Sequence, residues 1–192
     1  MKENFNKSLK FVLDHECVFE KGHYGDMAHV ITENVPGDSG GLTKFGIDQA
    51  SHPHINIRAL DYSQAAQIYR DGEWTRCRCD ELPAGYDLAV FDIAVNMGTG
   101  TAAKMLQQAL NEGTDEPKIE VDGFIGPKTI STALRAAADP RNNAMAEFLK
   151  LRQSRYFAIV HNHPSQKKFL NGWLDRCHDL ARAIASNGGT PA

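Results

Sequence analysis

From Leu88 to Val95 the chain reads Leu-Ala-Val-Phe-Asp-Ile-Ala-Val, apolar everywhere except at Asp92. The helix expected here, from about Ala84 to Met97, is therefore apolar around most of its circumference and has to be enclosed by other elements. Leu82-Pro83 marks its start, because proline is tolerated in a first helical turn. Asn96-Met97-Gly98-Thr99-Gly100 stops it and opens the next helix. A helix of this kind sits at the centre of an α domain, and a buried acid on it, Asp92, requires a partner.

Other segments carry the stripes that such a helix needs around it. Phe5, Leu9, Val12 and Leu13 recur at the spacing of an amphipathic helix. Asp61 can cap a helix beginning near Ser63, whose apolar stripe runs through Ala65, Ala66, Ile68, Tyr69 and Trp74. A third helix is expected over Thr101 to Leu110, a fourth after Pro127, and two more over 144–161 and 165–185, broken at Asn162-His163-Pro164. Between them, 18–35 and 49–60 read as irregular. No internal repeat or low-complexity segment interrupts the pattern.

Composition excludes several classes of function. With 192 residues, 42% hydrophobic and 23% charged, the chain is long enough to bury a core without staples. A net charge of −3 argues against binding nucleic acid or an anionic membrane surface. No apolar run is long enough to span a bilayer, and Met1 to Leu13 alternates polar and apolar residues in helical order. The expectation is a chain without a signal peptide, whose export would need outside help.

Cys17, Cys77, Cys79 and Cys177 are expected as free thiols, since Cys77-x-Cys79 has the wrong spacing for a zinc knuckle. His52-x-His54 and His161-x-His163 read as solvated. No metal and no cofactor are expected.

Chemistry concentrates near the N-terminus. Glu16 continues the row of Val12, placing a carboxylate on the inward face at the end of the first helix. A glycine-rich segment, Pro36-Gly37-Asp38-Ser39-Gly40-Gly41-Leu42-Thr43-Lys44-Phe45-Gly46-Ile47, then delivers an Asp and a Thr on what reads as a tight hairpin lining a cleft. One protonated carboxyl group, one ionised carboxylate and a hydroxyl that holds water are the parts needed to hydrolyse a glycosidic bond. Glu16, Asp38 and Thr43 are the candidates for those parts, with Asp26 and Glu33 as rivals to Asp38.

Glu16 and the run Asp38-Ser39-Gly40-Gly41-Leu42-Thr43-Lys44-Phe45-Gly46-Ile47 resemble the Glu...Asp-x-Gly-Gly-x-Thr-x-x-Gly-Ile signature of glycoside hydrolase family 108, the N-acetylmuramidase lysozymes common among phage endolysins. The resemblance continues through Phe91-Asp92-Ile93-Ala94-Val95-Asn96-Met97-Gly98 and through Phe169-Leu170-Asn171-Gly172-Trp173-Leu174. Val121-Asp122-Gly123-Phe124-Ile125-Gly126-Pro127-Lys128-Thr129 looks like a piece of helical peptidoglycan-binding modules. One departure is local: where the family usually reads Glu-Gly-Gly-Tyr, this chain reads Glu16-Cys17-Val18-Phe19.

The resemblance implies a mainly α, lysozyme-like domain with a small β-hairpin beside the active-site cleft. Residues 1–110 would form the catalytic region, and 111–192 the C-terminal helices, packed on the same domain and including the peptidoglycan-binding-like segment. It implies a peptidoglycan hydrolase, expected as a monomer, that cuts the β-1,4 bond between N-acetylmuramic acid and N-acetylglucosamine. Such an enzyme would be made in the cytoplasm of a bacterial host without a signal peptide and act on the wall after release through a holin-type lesion or another dedicated route. Glu16 would be the general acid, Asp38 the second carboxylate and Thr43 the hydroxyl that positions water. Tyr24, Phe45, Asn96 and Gly98 would contact the glycan strand. Two other readings stay open: a lytic transglycosylase on the same substrate, and a peptidoglycan-binding protein without catalysis. A metal-dependent amidase would require the histidines as ligands.

Overall fold

The computed structural model describes residues 2–34, 40–115 and 117–186. The chain divides into two units: Phe5–Gly72, and Glu73 onward together with the first four residues.

Helix α1 (Lys2–Glu16), which enters the smaller unit at Phe5, buries the predicted stripe there, with Leu9, Val12 and Leu13 fully enclosed. Burying a side chain of this size is worth about 1.5–3 kcal/mol, so this stripe anchors the helix that ends at Glu16. The stretch from Val18 to Asn34 is more ordered than its composition predicts. Phe19 bridges Val30, Met27–His29 forms a 3-10 turn capped by Asp26, and Glu33–Asn34 is strand β1. The expected hairpin is formed by β2 (Leu42–Lys44) and β3 (Ile47–Asp48), and β1 joins it in an antiparallel sheet of order β1-β2-β3. Helix α2 (Tyr62–Tyr69) begins at Asp61, whose side chain accepts from Gln64 N while the Asp61 amide donates to the Gln64 side chain. This is the capping box that its sequence announces. The chain kinks at Gly72 and passes into the larger unit.

The larger unit is built around α3 (Tyr86–Met97), in which every residue from Tyr86 to Ala94 is buried. Around it lie α4 (Thr99–Gly113), α5 (Pro127–Ala138), α6 (Ala144–Asn162) and α7 (Leu170–Ser186). Trp74 is fully buried and meets Phe91 edge-on, with ring centroids 5.3 Å apart, so this tryptophan serves the core. The last helix starts later than its apolar spacing predicts, at Leu170. Pro164 opens a 3-10 stretch that runs to Phe169, with Gln166 N bonded to His163 O at 2.9 Å, and the tighter turns delay the α register. Seven α-helices and one three-stranded sheet among the described residues make the fold mainly α and lysozyme-like, as expected. No helix among the described residues is long and apolar enough to cross a membrane. All four cysteines are unbridged.

Asp92 finds its partners on α6 and α7. Arg176 donates to its Oδ1 from Nε at 2.9 Å and from Nη2 at 2.7 Å, and Arg152 pairs with its Oδ2. Asp92 and Arg152 have no exposed surface at all. Desolvating such ions offsets most of their attraction, so the trio contributes specificity of helix arrangement more than net stability. Breaking it is another matter, because two guanidinium groups would remain buried against no carboxylate. Asp92→Asn is expected to lower unfolding free energy by about 3–5 kcal/mol, measured by urea denaturation.

Candidate active site

Glu16 is the last residue of α1 and is half-buried. The β2–β3 turn comes up against it. Phe45 and Gly46 have φ of 55° and 73°, the pair of positive values that a two-residue type I′ hairpin requires. A bulky residue in this region stores about 1–2 kcal/mol of strain. Burial and one hydrogen bond hold Phe45 there: the residue is 2% exposed, and its carbonyl accepts from the Tyr69 hydroxyl at 2.8 Å. A Cβ on Gly46 would lie 2.7 Å from Tyr69 Oη and 3.0 Å from Glu16 Cβ. The turn therefore closes on the acid with only a hydrogen atom to spare.

Sheet register sets the surroundings of Thr43. It pairs with Glu33 on one side and Asp48 on the other, while Lys44 pairs with Ile47. Cross-strand partners share a face, so Glu33, Thr43 and Asp48 form one polar row, and Ile47, 2% exposed, belongs to the opposite face. Asp48 is fixed by the Ser51 amide at 2.8 Å. Burial alone would raise its pKa, but bonds from the Ser51 backbone and hydroxyl outweigh it and leave the carboxyl below its ordinary value. Asp38 lies outside the described residues.

Tyr24 is 77% exposed, with its hydroxyl donating to Asp14 O at 3.2 Å and its ring edge-on to Phe19. Glu16, Thr43, Phe45 and Tyr24 thus belong to the smaller unit, and Asn96 and Gly98 to the larger. Gly98, with φ of 88°, is at once the end of α3 and the start of α4. Asn96, in the last turn of α3, accepts from Tyr156 at 2.7 Å. Tyr156 also accepts from Arg152 Nε at 3.3 Å and stacks on Trp173, so the buried ion trio orients Asn96 through one phenol.

A second polar cluster in the larger unit involves Gln107, which is 1% exposed. Its amide donates to Asp122 Oδ1 at 2.7 Å and to Phe124 O at 2.9 Å, and accepts from Gly123 N at 3.0 Å. These bonds fix a turn that leaves Phe124 77% exposed beside a pocket of about 660 Å³, lined also by Arg76, Thr99, Lys104 and Gly123. Sequence reasoning singled out the Asp-Gly turn but not Gln107, which reads as an ordinary helix residue.

His23 and His29, which the sequence offers beside Tyr24 as residues that could rim a substrate groove, instead meet Glu20 in a cluster that sequence reasoning did not foresee, with potential ligand atoms within 4.8 Å of one another. Their signal is a chemistry-bearing residue at every third position from Glu20 to His29, in a segment read as irregular.

The acid at the end of α1 and the strained hairpin against it belong to a mainly α, lysozyme-like fold. Residues 11–98 match the glycosyl hydrolase 108 family and residues 101–178 match a family described as a predicted peptidoglycan domain. The match over residues 11–98 bears out the resemblance carried by Glu16 and the Asp38–Ile47 run. A solved structure of SagA from Brucella abortus is 27% identical, with a TM-score of 0.71 and 98% of each chain covered. No curated protein matches the sequence. The protein is a glycoside hydrolase that acts on peptidoglycan.

Two measurements check the geometry at Glu16. Gly22, with φ of 89°, has nothing within 4 Å of the place a side-chain carbon would take, so Gly22→Ala is expected to cost only the backbone strain of about 1–2 kcal/mol. Gly46→Ala adds the collision with Tyr69 and Glu16, and is expected to lose more stability and most hydrolytic activity in parallel assays.

Cys17 reports on the same place from the other side. Its thiol is pushed up to about 12 by burial first, then by the negative charges of Glu16 and Asp14. At pH 8 a thiol with that pKa is ionised on the order of one part in ten thousand. Alkylation of Cys17 is expected to be far slower in the folded than in the unfolded chain, and faster in Glu16→Gln, as read by peptide mass spectrometry.

Proposed function

We propose that this chain is an N-acetylmuramidase that hydrolyses the β-1,4 bond between N-acetylmuramic acid and N-acetylglucosamine, with Glu16 as general acid. Glu16 gives its proton to the glycosidic oxygen as the bond to C1 breaks, water adds to C1, and the proton released by water passes to a carboxylate base. The observation that carries the reading is the contact of the Gly46 turn with Glu16, which holds a carboxyl group at the head of a strained hairpin bearing Thr43. Thr43 positions the water. Asp38 is the second carboxylate by the family signature, and Glu33, paired with Thr43 across the sheet, is its rival.

Tyr24 offers an exposed ring on which a sugar can stack, and Asn96 with Gly98 supplies polar contacts for N-acetyl groups. Phe45 supports the turn through its carbonyl and buried ring. Phe124 and its pocket offer a separate surface for glycan contact on the larger unit. The biological role implied by the resemblance, an endolysin that degrades the wall after release from the cytoplasm, forms part of this proposal. Cells expressing the chain are expected to stay intact until their inner membrane is permeabilised, and then to lyse.

The deciding experiment is mass spectrometry of purified peptidoglycan digested by wild type and variants. Wild type is expected to yield reducing N-acetylmuramic acid ends, and Glu16→Gln to lose roughly 10²–10⁴-fold in turnover, the usual contribution of a general acid, with folding retained. The Asp38→Asn and Glu33→Gln variants assign the second carboxylate, whichever loses more. Anhydro products would move the enzyme to the lytic transglycosylases, and cut stem peptides with intact glycan would overturn the reading.

A further inference from the structure

The excursion that follows Glu16 carries Glu20, His23, Asp26 and His29 at every third position. Its backbone is closed before any ligand arrives. Glu20 N bonds His29 O at 2.9 Å and Ile31 N bonds Val18 O at 3.0 Å, next to the Phe19–Val30 bridge. Inside this closure three turns follow one another, His23 N to Glu20 O at 3.0 Å, Asp26 N to His23 O at 3.0 Å and His29 N to Asp26 O at 2.9 Å. Spacing by three then brings the side chains to one side of the loop.

The side chains meet there. The imidazoles of His23 and His29 stack with centroids 3.7 Å apart, and His29 Nδ1 lies 3.1 Å from Glu20 Oε2. One ligand atom from each of Glu20, His23 and His29 falls within a 4.8 Å cluster. Ligands of a tetrahedral zinc-class ion bound at about 2.0–2.2 Å stand roughly 3.3–3.6 Å apart, so side-chain rotations of about an ångström complete the site. Two imidazoles and a carboxylate select borderline divalent ions over calcium or magnesium, which take oxygen ligands.

Asp26 adds the second observation. Its Oδ2 lies 3.6 Å from His29 Nε2, the ring nitrogen on the far side from Glu20, while its Oδ1 accepts from Ala28 N at 3.0 Å and keeps the carboxylate in place. A carboxylate behind the other ring nitrogen is the usual support of a metal-bound histidine.

We propose that Glu20, His23 and His29 bind one zinc-class divalent cation, with Asp26 positioning His29. Three protein ligands leave a coordination position for water. Bound metal ties both ends of the loop that carries Tyr24, whose hydroxyl rests on Asp14 O of α1. The site braces the segment beside Glu16 and takes no part in bond cleavage.

The test uses the whole chain stripped with EDTA, titrated with zinc by calorimetry at pH 7.5 and followed by thermal melting. Expected are one zinc per chain, a higher melting temperature with zinc, and loss of both in His23→Ala and in His29→Ala. Glu20→Gln serves as a third ligand variant should either histidine variant fail to match the wild-type circular dichroism and melting temperature in EDTA. Asp26→Asn keeps the turn cap and is expected to weaken affinity roughly 10–100-fold at unchanged stoichiometry. Cobalt in place of zinc should give a spectrum free of thiolate charge transfer. No saturable binding, binding that survives the ligand variants, or a thiolate band from the cysteines would overturn the proposal. None of these readouts depends on glycan cleavage, so the result stands apart from the muramidase assignment.

Discussion

The carboxylate of Asp92 is the constraint on which the larger unit depends. Buried without any exposed surface, it is tolerable only with cations at hand, and they come from α6 and α7, many residues later in the chain. A greasy α3 could accept neighbouring helices in several rotations at similar cost, because apolar packing is forgiving of register. A buried carboxylate removes that freedom. Only arrangements that bring Arg152 and Arg176 to it avoid an uncompensated charge worth several kcal/mol.

The same trio reaches the surface. Arg152 holds Tyr156, Tyr156 stacks on Trp173 and donates to Asn96, and Asn96 stands just before the α3–α4 junction at Gly98. A structural cluster thus fixes the orientation of an exposed amide on the unit's surface. Such coupling explains why a polar group can be both part of the architecture and a candidate for ligand contact.

In the smaller unit the analogous constraint is steric. Phe45 accepts an unfavourable backbone conformation because its ring is buried and its carbonyl is taken by Tyr69, and the strain is repaid by a turn that lies directly against Glu16. Strain held in this way beside a carboxyl group is characteristic of functional sites. The departure Cys17-Val18-Phe19 from the family pattern also acquires a physical reading. Cys17 continues the helical bonding to Leu13 O, and Phe19 begins the bridge that closes the loop over Glu20 and His29.

Much was legible from order alone. The central helix, the capped start of α2 at Asp61, the hairpin across Leu42 to Asp48 and the acid at the end of α1 follow from local rules of periodicity, capping and turn chemistry, which act over a few residues and are written in adjacent letters. What only the tertiary structure decided are the meetings of residues far apart in the chain: Arg152 and Arg176 on Asp92, Gln107 inside the Asp122 turn, Tyr69 on the Phe45 carbonyl. The order within 18–34 belongs with them, since its closure rests on bonds between the two ends of the loop, Glu20 N to His29 O and Ile31 N to Val18 O, and not on propensity. The reason is physical. Local hydrogen bonds need only neighbours, whereas a buried charge or a closed loop takes whichever partner the packing of the whole chain delivers.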